Sequence, residues 1–377
     1  MYTICGLITC LITHKANKWI VSKYKVNRKI GMFLLVMVAM IFAILAALRD
    51  YNIGTDINYY VIPIFNSAKT NNFETYWNSN NTIIEPLYLL LNYIVSGISS
   101  NPHLLMGIIS FIISLLVILR LADYKEYKKM WIGVFIYNFA FFPISLNLMR
   151  QSIAMAILFY STRYIFTEKL KIRNFVFGTI IAMGFHLTGI IGFFLLIIEL
   201  YYKKNFTQDN SVSTKTTSKT IILIVALIVV VLAFDKIVAV IVPLSQFTRK
   251  YSNYYAVRGK IDFNPLLVRL PFIILIFLKR KEFYRKDSEN YLLFLFMVID
   301  AITSLLRSYS GTLYRVSIYF AYYKMLAIPN YTVIYRGKDK LFIKTTVCIM
   351  FYLIWIYQIV IQGNDQVFPY TARWLLN

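Results

Sequence analysis

An all-α, polytopic membrane fold is what this sequence predicts, and three observations carry the expectation. Hydrophobic residues make up 59% of the 377-residue chain and its mean hydropathy is +0.61, well outside the soluble range. Apolar runs long enough to cross about 30 Å of hydrocarbon recur along the chain, at 30–48, 103–121, 220–241 and 340–361. The formal charge of +23 falls in short connectors between those runs rather than on one soluble face, which argues against a nucleic-acid partner. The expectation is one transmembrane domain over 1–377, with about 11–13 membrane-embedded helices.

Taken in order, the first apolar stretch, Leu7–Ile12, is followed by His14, Lys15 and Lys18. Charge after the apolar run, with no small-residue cleavage site, predicts a short first membrane segment rather than a signal peptide. Lys/Arg-rich connectors are assigned to the cytoplasm because translocating their charge is disfavoured. They are Lys15–Lys29, Lys125–Lys129, Lys169–Arg173, Lys203–Lys219, Lys279–Lys286 and Arg336–Lys344. The Ser/Thr/Asn-rich part of the fourth predicts a flexible cytoplasmic linker over about 203–220.

Between successive cytoplasmic connectors the chain must cross an even number of times. Residues 131–166 then cross twice with a turn near Pro143–Gln151, and 290–330 turn around Arg307–Gly311. Asn174–Leu200 folds as two short helices meeting near His186. The runs 30–48, 82–99 and 103–121 break parity, so Ile83–Ser99, with Glu85, Pro86 and Asn92, is expected to be re-entrant. Segments over about 49–82 and 245–264 fall on the outer face. Cys5, Cys10 and Cys348 all lie in apolar stretches without metal-ligand spacing and read as packing residues.

A charged side chain at membrane depth costs roughly 2.5–3.5 kcal/mol on insertion scales, so those outside the connectors need a reason. Under this topology Arg49, Asp50, Asp56, Glu85, Arg150, His186, Arg258, Arg269, Arg307 and Arg315 share the outer level. Each cluster alone has a plainer reading: a helix end for Arg49–Asp56, snorkelling for Arg150, packing for His186, an interfacial loop for Arg307 and Arg315. Their convergence favours a site. Guanidinium groups hold phosphate oxygens in bidentate fashion and a histidine or carboxylate handles one proton, which suits a pyrophosphate-bearing substrate. Walker, Rossmann and zinc-site patterns are missing from the sequence, so no cofactor or metal is expected and the substrate is expected to arrive on a lipid.

The chain resembles the EpsG/Wzy-type polysaccharide polymerases of bacterial capsule, O-antigen and exopolysaccharide assembly. The matching residues are Arg49 with Gly54-Thr55-Asp56 and Tyr59 or Tyr60, Glu85-Pro86, Asn147 with Arg150-Gln151 and Ala154, Phe185-His186, Arg315 with Tyr319-Phe320, and Pro369-Tyr370. The resemblance implies a GT-C-like fold in the bacterial cytoplasmic (inner) membrane, with its active site facing the periplasm or exterior. It implies glycosyl transfer between undecaprenyl-pyrophosphate-linked oligosaccharides among membrane lipid, with a chain-length regulator as a further partner. His186 is then the first choice of general base, with Asp56 or Glu85 as alternative or orienting partner. Arg150, Arg49 and Arg315 would neutralise the pyrophosphate, and Thr55, Asn147, Gln151, Arg307 and Tyr370 would complete the substrate site. Tyr59, Tyr60 and Trp77 are further candidates for stacking on sugar rings. The competing readings are a flippase of lipid-linked oligosaccharide, an O-antigen ligase and a membrane acyltransferase.

Overall fold

The computed structural model describes residues 1–123, 129–167, 169–206, 262–305 and 311–372. Among the described residues there is no strand. In chain order the helices are α1 (Tyr2–Ile20), α2 (Lys25–Leu48), α3 (Ile62–Thr70), α4 (Phe73–Asn80), α5 (Pro86–Ile98), α6 (Pro102–Ala122), α7 (Met130–Asn147), α8 (Met149–Ser161) and α9 (Ile172–Phe185). They continue with α10 (Ile191–Phe206), α11 (Asn264–Leu267), α12 (Leu270–Leu278), α13 (Arg280–Lys286), α14 (Asn290–Ser304), α15 (Gly311–Ala321), α16 (Lys324–Thr332) and α17 (Gly337–Ile361). The chain forms two compact units, Met1–Gly189 with Ile328–Asn377, and Ile190–Ala327.

Four helices among the described residues are long and apolar enough to cross a membrane: α2, α6, α7 and α17, all in the first unit. Their burial ranks them: 83% of the apolar stretch of α7 is enclosed by protein, against 56% for α6, 44% for α2 and 22% for α17. The first is a core helix and the last leaves most of its surface for lipid. Within α7, Tyr137–Phe141 widens to a π turn just before Pro143. Proline has no N–H and its ring crowds the carbonyl four residues back, so the wider turn lets the helix continue to Asn147. It then breaks at Leu148 (φ −86°, ψ 59°) and α8 starts at once, within the turn expected near Pro143–Gln151.

The last carbonyls of a helix lack intrahelical donors, and side chains from far along the chain supply them to α2. His103 Nδ1 lies 2.7 Å from the Ala47 carbonyl and the Tyr370 hydroxyl donates to Leu45 O at 2.8 Å. Further up, Ser110 Oγ donates to Phe42 O at 3.1 Å, fixing α6 against α2.

The structure lengthens the first segment. In place of a short run at Leu7–Ile12, α1 extends over 19 residues to Ile20, through His14, Lys15 and Lys18, and only residues 21–24 separate it from α2. Helix packing overrides the charge here: α1 lies on α2 and α7, and its inward Thr9 and Thr13 hydroxyls donate to Gly6 O and Thr9 O. The basic stretch Arg336–Lys344 is likewise helical, as the first turns of α17. Residues 49–82 form a π turn at Ile57–Val61 followed by α3 and α4. These helices pack on α5, where Tyr76 donates its hydroxyl to Leu89 O at 3.1 Å. At 13 residues α5 is about 20 Å long, too short to cross upright. The expected break inside Asn174–Leu200 is present: α9 stops at Phe185, His186 is extended, and a 3₁₀ turn at Leu187–Ile190 leads into α10.

In the second unit, α14 carries Asp300 with 0% of its side chain exposed, bonded to Arg269 Nε at 3.0 Å and to Lys324 Nζ. Sequence reading singled out Arg269 and missed both partners, which stand inside otherwise apolar or aromatic helices. Nearly all of the 203–220 linker, most of the 245–264 segment, Arg258, Arg307 and most of the Arg307–Gly311 turn and the Lys125–Lys129 connector lie outside the described residues.

Removing one partner of a buried ion pair strands the others, at a cost of ~3–5 kcal/mol. Asp300→Ala is therefore expected to lower the thermal unfolding temperature in detergent strongly. Asp300→Asn, which keeps an acceptor oxygen, should lower it less. Equal losses for the two substitutions would show that the acceptor, and hence this pairing, carries no weight.

Candidate active site

The site grows from the break between α7 and α8. Arg49, the residue that ends α2, is wholly buried and donates from Nη1 to Leu146 O at 2.7 Å, placing a cation on the last carbonyls of α7. Both the hydrogen bond and the helix dipole favour a guanidinium there. Its Nη2 faces sulfur, 3.3 Å from Met149 Sδ and 3.7 Å from Met106 Sδ, and its buried Nε makes no hydrogen bond. Arg49 stands beneath the site and positions it, rather than opening onto it.

Past Arg49 the chain makes a tight turn on Gly54, at φ +95°, a region that favours glycine. A Cβ there would sit 2.8 Å from Leu146 O, the same carbonyl that Arg49 holds. The turn therefore lies flat on the end of α7. Asn147, the final residue of α7, ties it down: its Oδ1 accepts from Thr55 Oγ1 at 2.9 Å and from the Asp56 amide at 3.2 Å. Its Nδ2 donates to Asp365 Oδ1 at 3.2 Å, and the Gly54 amide donates to Gln366 O at 3.0 Å. A strap from the C-terminal region thus closes over the turn, anchored by Tyr2 on Val367 O and by Tyr370 on Leu45 O, each at 2.8 Å.

Arg150 occupies the first turn of α8. It donates to Glu85 Oε2 at 2.6 Å, with the two side chains 13% and 6% exposed, and its guanidinium lies over the Tyr60 and Tyr88 rings at 5.0 and 5.8 Å. Glu85 immediately precedes α5 without capping it by its side chain, and its second oxygen accepts the Leu187 amide at 3.3 Å. Burial pushes its carboxyl up, but His186, Arg150 and the backbone amides outweigh burial and hold it below the ordinary value of 4.5.

His186 is buried just past the end of α9. Thr188 donates its amide to Nδ1 at 3.2 Å and places its hydroxyl 2.7 Å from the same atom. An amide N–H can only donate, so this hydrogen bonding assigns Nδ1 as acceptor and leaves the proton of the neutral ring on Nε2. The sequence makes His186 the first choice of general base; the local turn, which spacing alone does not reveal, sets which of its nitrogens Thr188 occupies.

The first unit thus brings together Arg49, Thr55, Asp56, Glu85, Asn147, Arg150 and His186. Gln151 is buried one residue further along α8, with Nε2 3.7 Å from Met155 Sδ. Tyr370 fastens the strap, and Tyr59, 77% exposed, is the most accessible ring of the group. Arg315 belongs to α15 of the second unit and is half-buried, and Arg307 lies outside the described residues. Three contributors went unread in the sequence: Asp365, Tyr88 and Thr188. A turn signal did exist for the first, in Gly363-Asn364-Asp365, where both Gly363 and Asp365 have positive φ. Among the described residues, no group of three or more His, Cys, Asp and Glu side chains could hold a metal.

Fold and site together define an all-α membrane protein with a cation–carboxylate cluster at a helix break. The chain belongs to the EpsG family, whose family model matches residues 32–372. This places it among polysaccharide polymerases of glycosyltransferase character, acting within the membrane. No curated protein and no solved structure matches the chain.

Gly54→Ala forces a Cβ against Leu146 O and an unfavourable φ, and is expected to cost ~1–3 kcal/mol in thermal unfolding of the purified protein. Glu85, with its folded-state value depressed, contributes stability in full above 4.5 and loses it as pH falls through the lower folded value. Glu85→Gln should remove that acid-sensitive part, so its unfolding temperature should fall less steeply than wild type between pH 5 and pH 3.

Proposed function

We propose that this protein joins undecaprenyl-pyrophosphate-linked oligosaccharide repeats into a polysaccharide at the outer face of a bacterial cytoplasmic membrane, within a GT-C-like fold. The observation that carries the reading is Arg150, held in the first turn of α8 by Glu85 and two tyrosine rings. A guanidinium at a helix N-terminus combines a fork of fixed N–H donors with the positive end of the helix dipole, the arrangement that suits phosphate.

In this reading Arg150 takes the pyrophosphate, and the Nε2–H of His186 adds a second donor as charge develops on the leaving group. A sugar hydroxyl of one repeat attacks the anomeric carbon of the other substrate. The new glycosidic C–O bond forms as the bond to pyrophosphate breaks, and undecaprenyl pyrophosphate departs with the bonding electrons. The hydroxyl proton passes to Asp56. Glu85 is a poor recipient, because Arg150 and the Leu187 amide already occupy its oxygens and hold its proton affinity down. Asp56 is half-exposed, and its backbone is fixed by Asn147. Arg49 holds the floor of the site, and the exposed Tyr59 offers a ring face to a sugar.

Complementation of a deletion strain tests these roles, with polysaccharide length read on a gel and membrane levels of each variant checked. Arg150→Ala is expected to abolish the ladder and Asp56→Asn to reduce it at least ~100-fold, the lower end of general-base effects. His186→Gln, which can still donate where Nε2 stood, should retain chains that His186→Ala loses. A wild-type ladder from Arg150→Ala would refute the assignment. Loss of all repeats outside the membrane on deletion would indicate a translocase instead.

A further inference from the structure

A second feature lies at the other end of the helices that carry the site. α8 and α9 are consecutive and packed side by side, with Arg150 at the start of one and His186 just past the end of the other. Along α8, starting at Ile157, about 10 Å from Arg150, and ending about 20 Å from it, a cavity of about 600 Å³ opens between α6, α8 and α9. Its walls include Ile157, Phe177 and Ile181, and its far end holds Tyr160, Tyr164 and Arg173. The helices meet closely at its floor, since a Cβ on Gly178 would fall 2.2 Å from Ser161 Oγ. Phe177 and Ile180 on α9 are 64% and 56% exposed, so this apolar wall faces hydrocarbon in a membrane-embedded protein.

Arg173 is the charged side chain in its lining, and basic residues outnumber acidic ones in the connector beside it. The connector into α9 carries Lys169, Lys171 and Arg173 against Glu168 in the sequence. Asp123 nearby is bonded to Arg163 at 2.9 Å, and Arg163 also donates to the Tyr160 hydroxyl. The first turn of α9 contains no acidic residue. An apolar slot that ends in an arginine and two tyrosines, beside a basic connector, is complementary to one acyl chain and the phosphate of an anionic lipid.

We propose that this groove is a binding site for an anionic diacyl phospholipid of the membrane, with an acyl chain along Phe177 and Ile181 and the phosphate on Arg173. It lies at the opposite end of α8 and α9 from the polymerising site, so its occupant belongs to the other leaflet and is not the sugar-carrying lipid.

Phe177→Trp in the full-length protein supplies the probe, because position 177 is exposed and tolerant. The protein is reconstituted in phosphatidylcholine vesicles that contain, at equal mole fraction, either brominated-acyl phosphatidylglycerol or brominated-acyl phosphatidylcholine. Quenching is read as the variant minus the wild type, which cancels the five native tryptophans. The brominated phosphatidylglycerol is expected to occupy the groove about fivefold more readily than the phosphatidylcholine, and adding Arg173→Gln should bring the two together. Equal quenching by both lipids before that substitution would overturn the proposal, as would no quenching by either. Native mass spectrometry gives an independent reading: wild type should retain phosphatidylglycerol that Arg173→Gln does not, and equal retention would count against the site.

Discussion

Everything in the first unit that bears on chemistry depends on where α7 stops. A helix interrupted inside a membrane protein exposes carbonyls that neither water nor its own backbone can satisfy, and here the fully buried guanidinium of Arg49 answers Leu146. That one contact fixes the end of α7, seats the Gly54 turn on the same carbonyl, and lets α8 begin with Arg150 in its first turn. Asn147, between the two, then joins Thr55, Asp56 and Asp365. Of the arginines that the sequence offers to the substrate, Arg49 is buried against the end of α7 and Arg150 stands in the first turn of α8.

The arrangement also divides labour among groups that look alike on paper. Glu85 and Asp56 are both carboxylates near arginine, yet the carboxylate of one is locked between Arg150 and a backbone amide, while the other is half-exposed and gives its backbone amide to Asn147. Under the proposed reaction, environment rather than residue type separates an orienting group from a proton acceptor. His186 shows the same principle from the other side, since the 3₁₀ turn that places Thr188 decides which ring nitrogen carries the proton.

Much of this was legible in the sequence, for physical reasons. Long apolar runs can only be membrane helices, so α2, α6, α7 and α17 were readable from hydropathy. Parity placed a break near His186, and the expectation that Arg49, Asp56, Glu85, Arg150 and His186 gather came from requiring charged groups in hydrocarbon to share a level; the same expectation included Arg269, which pairs with Asp300 in the second unit instead. Three-dimensional pairing was not legible. Asp300 looks like any polar residue within a helix until Arg269 and Lys324 are seen on it. α1 extended past its charges because packing on α2 and α7 outweighs hydropathy, which a window along the chain does not register.

The strap has a consequence for how the protein comes into being. Asn147 and Asp365 are 218 residues apart, and the bond between them cannot form until Asp365 has left the ribosome. The Arg150–Glu85 pair, 65 residues apart, can form far earlier. A nascent chain halted between Arg150 and Asp365 can therefore hold the Arg150–Glu85 pair while its Gly54 turn is still unclasped. The strap is the later of the two contacts to become possible.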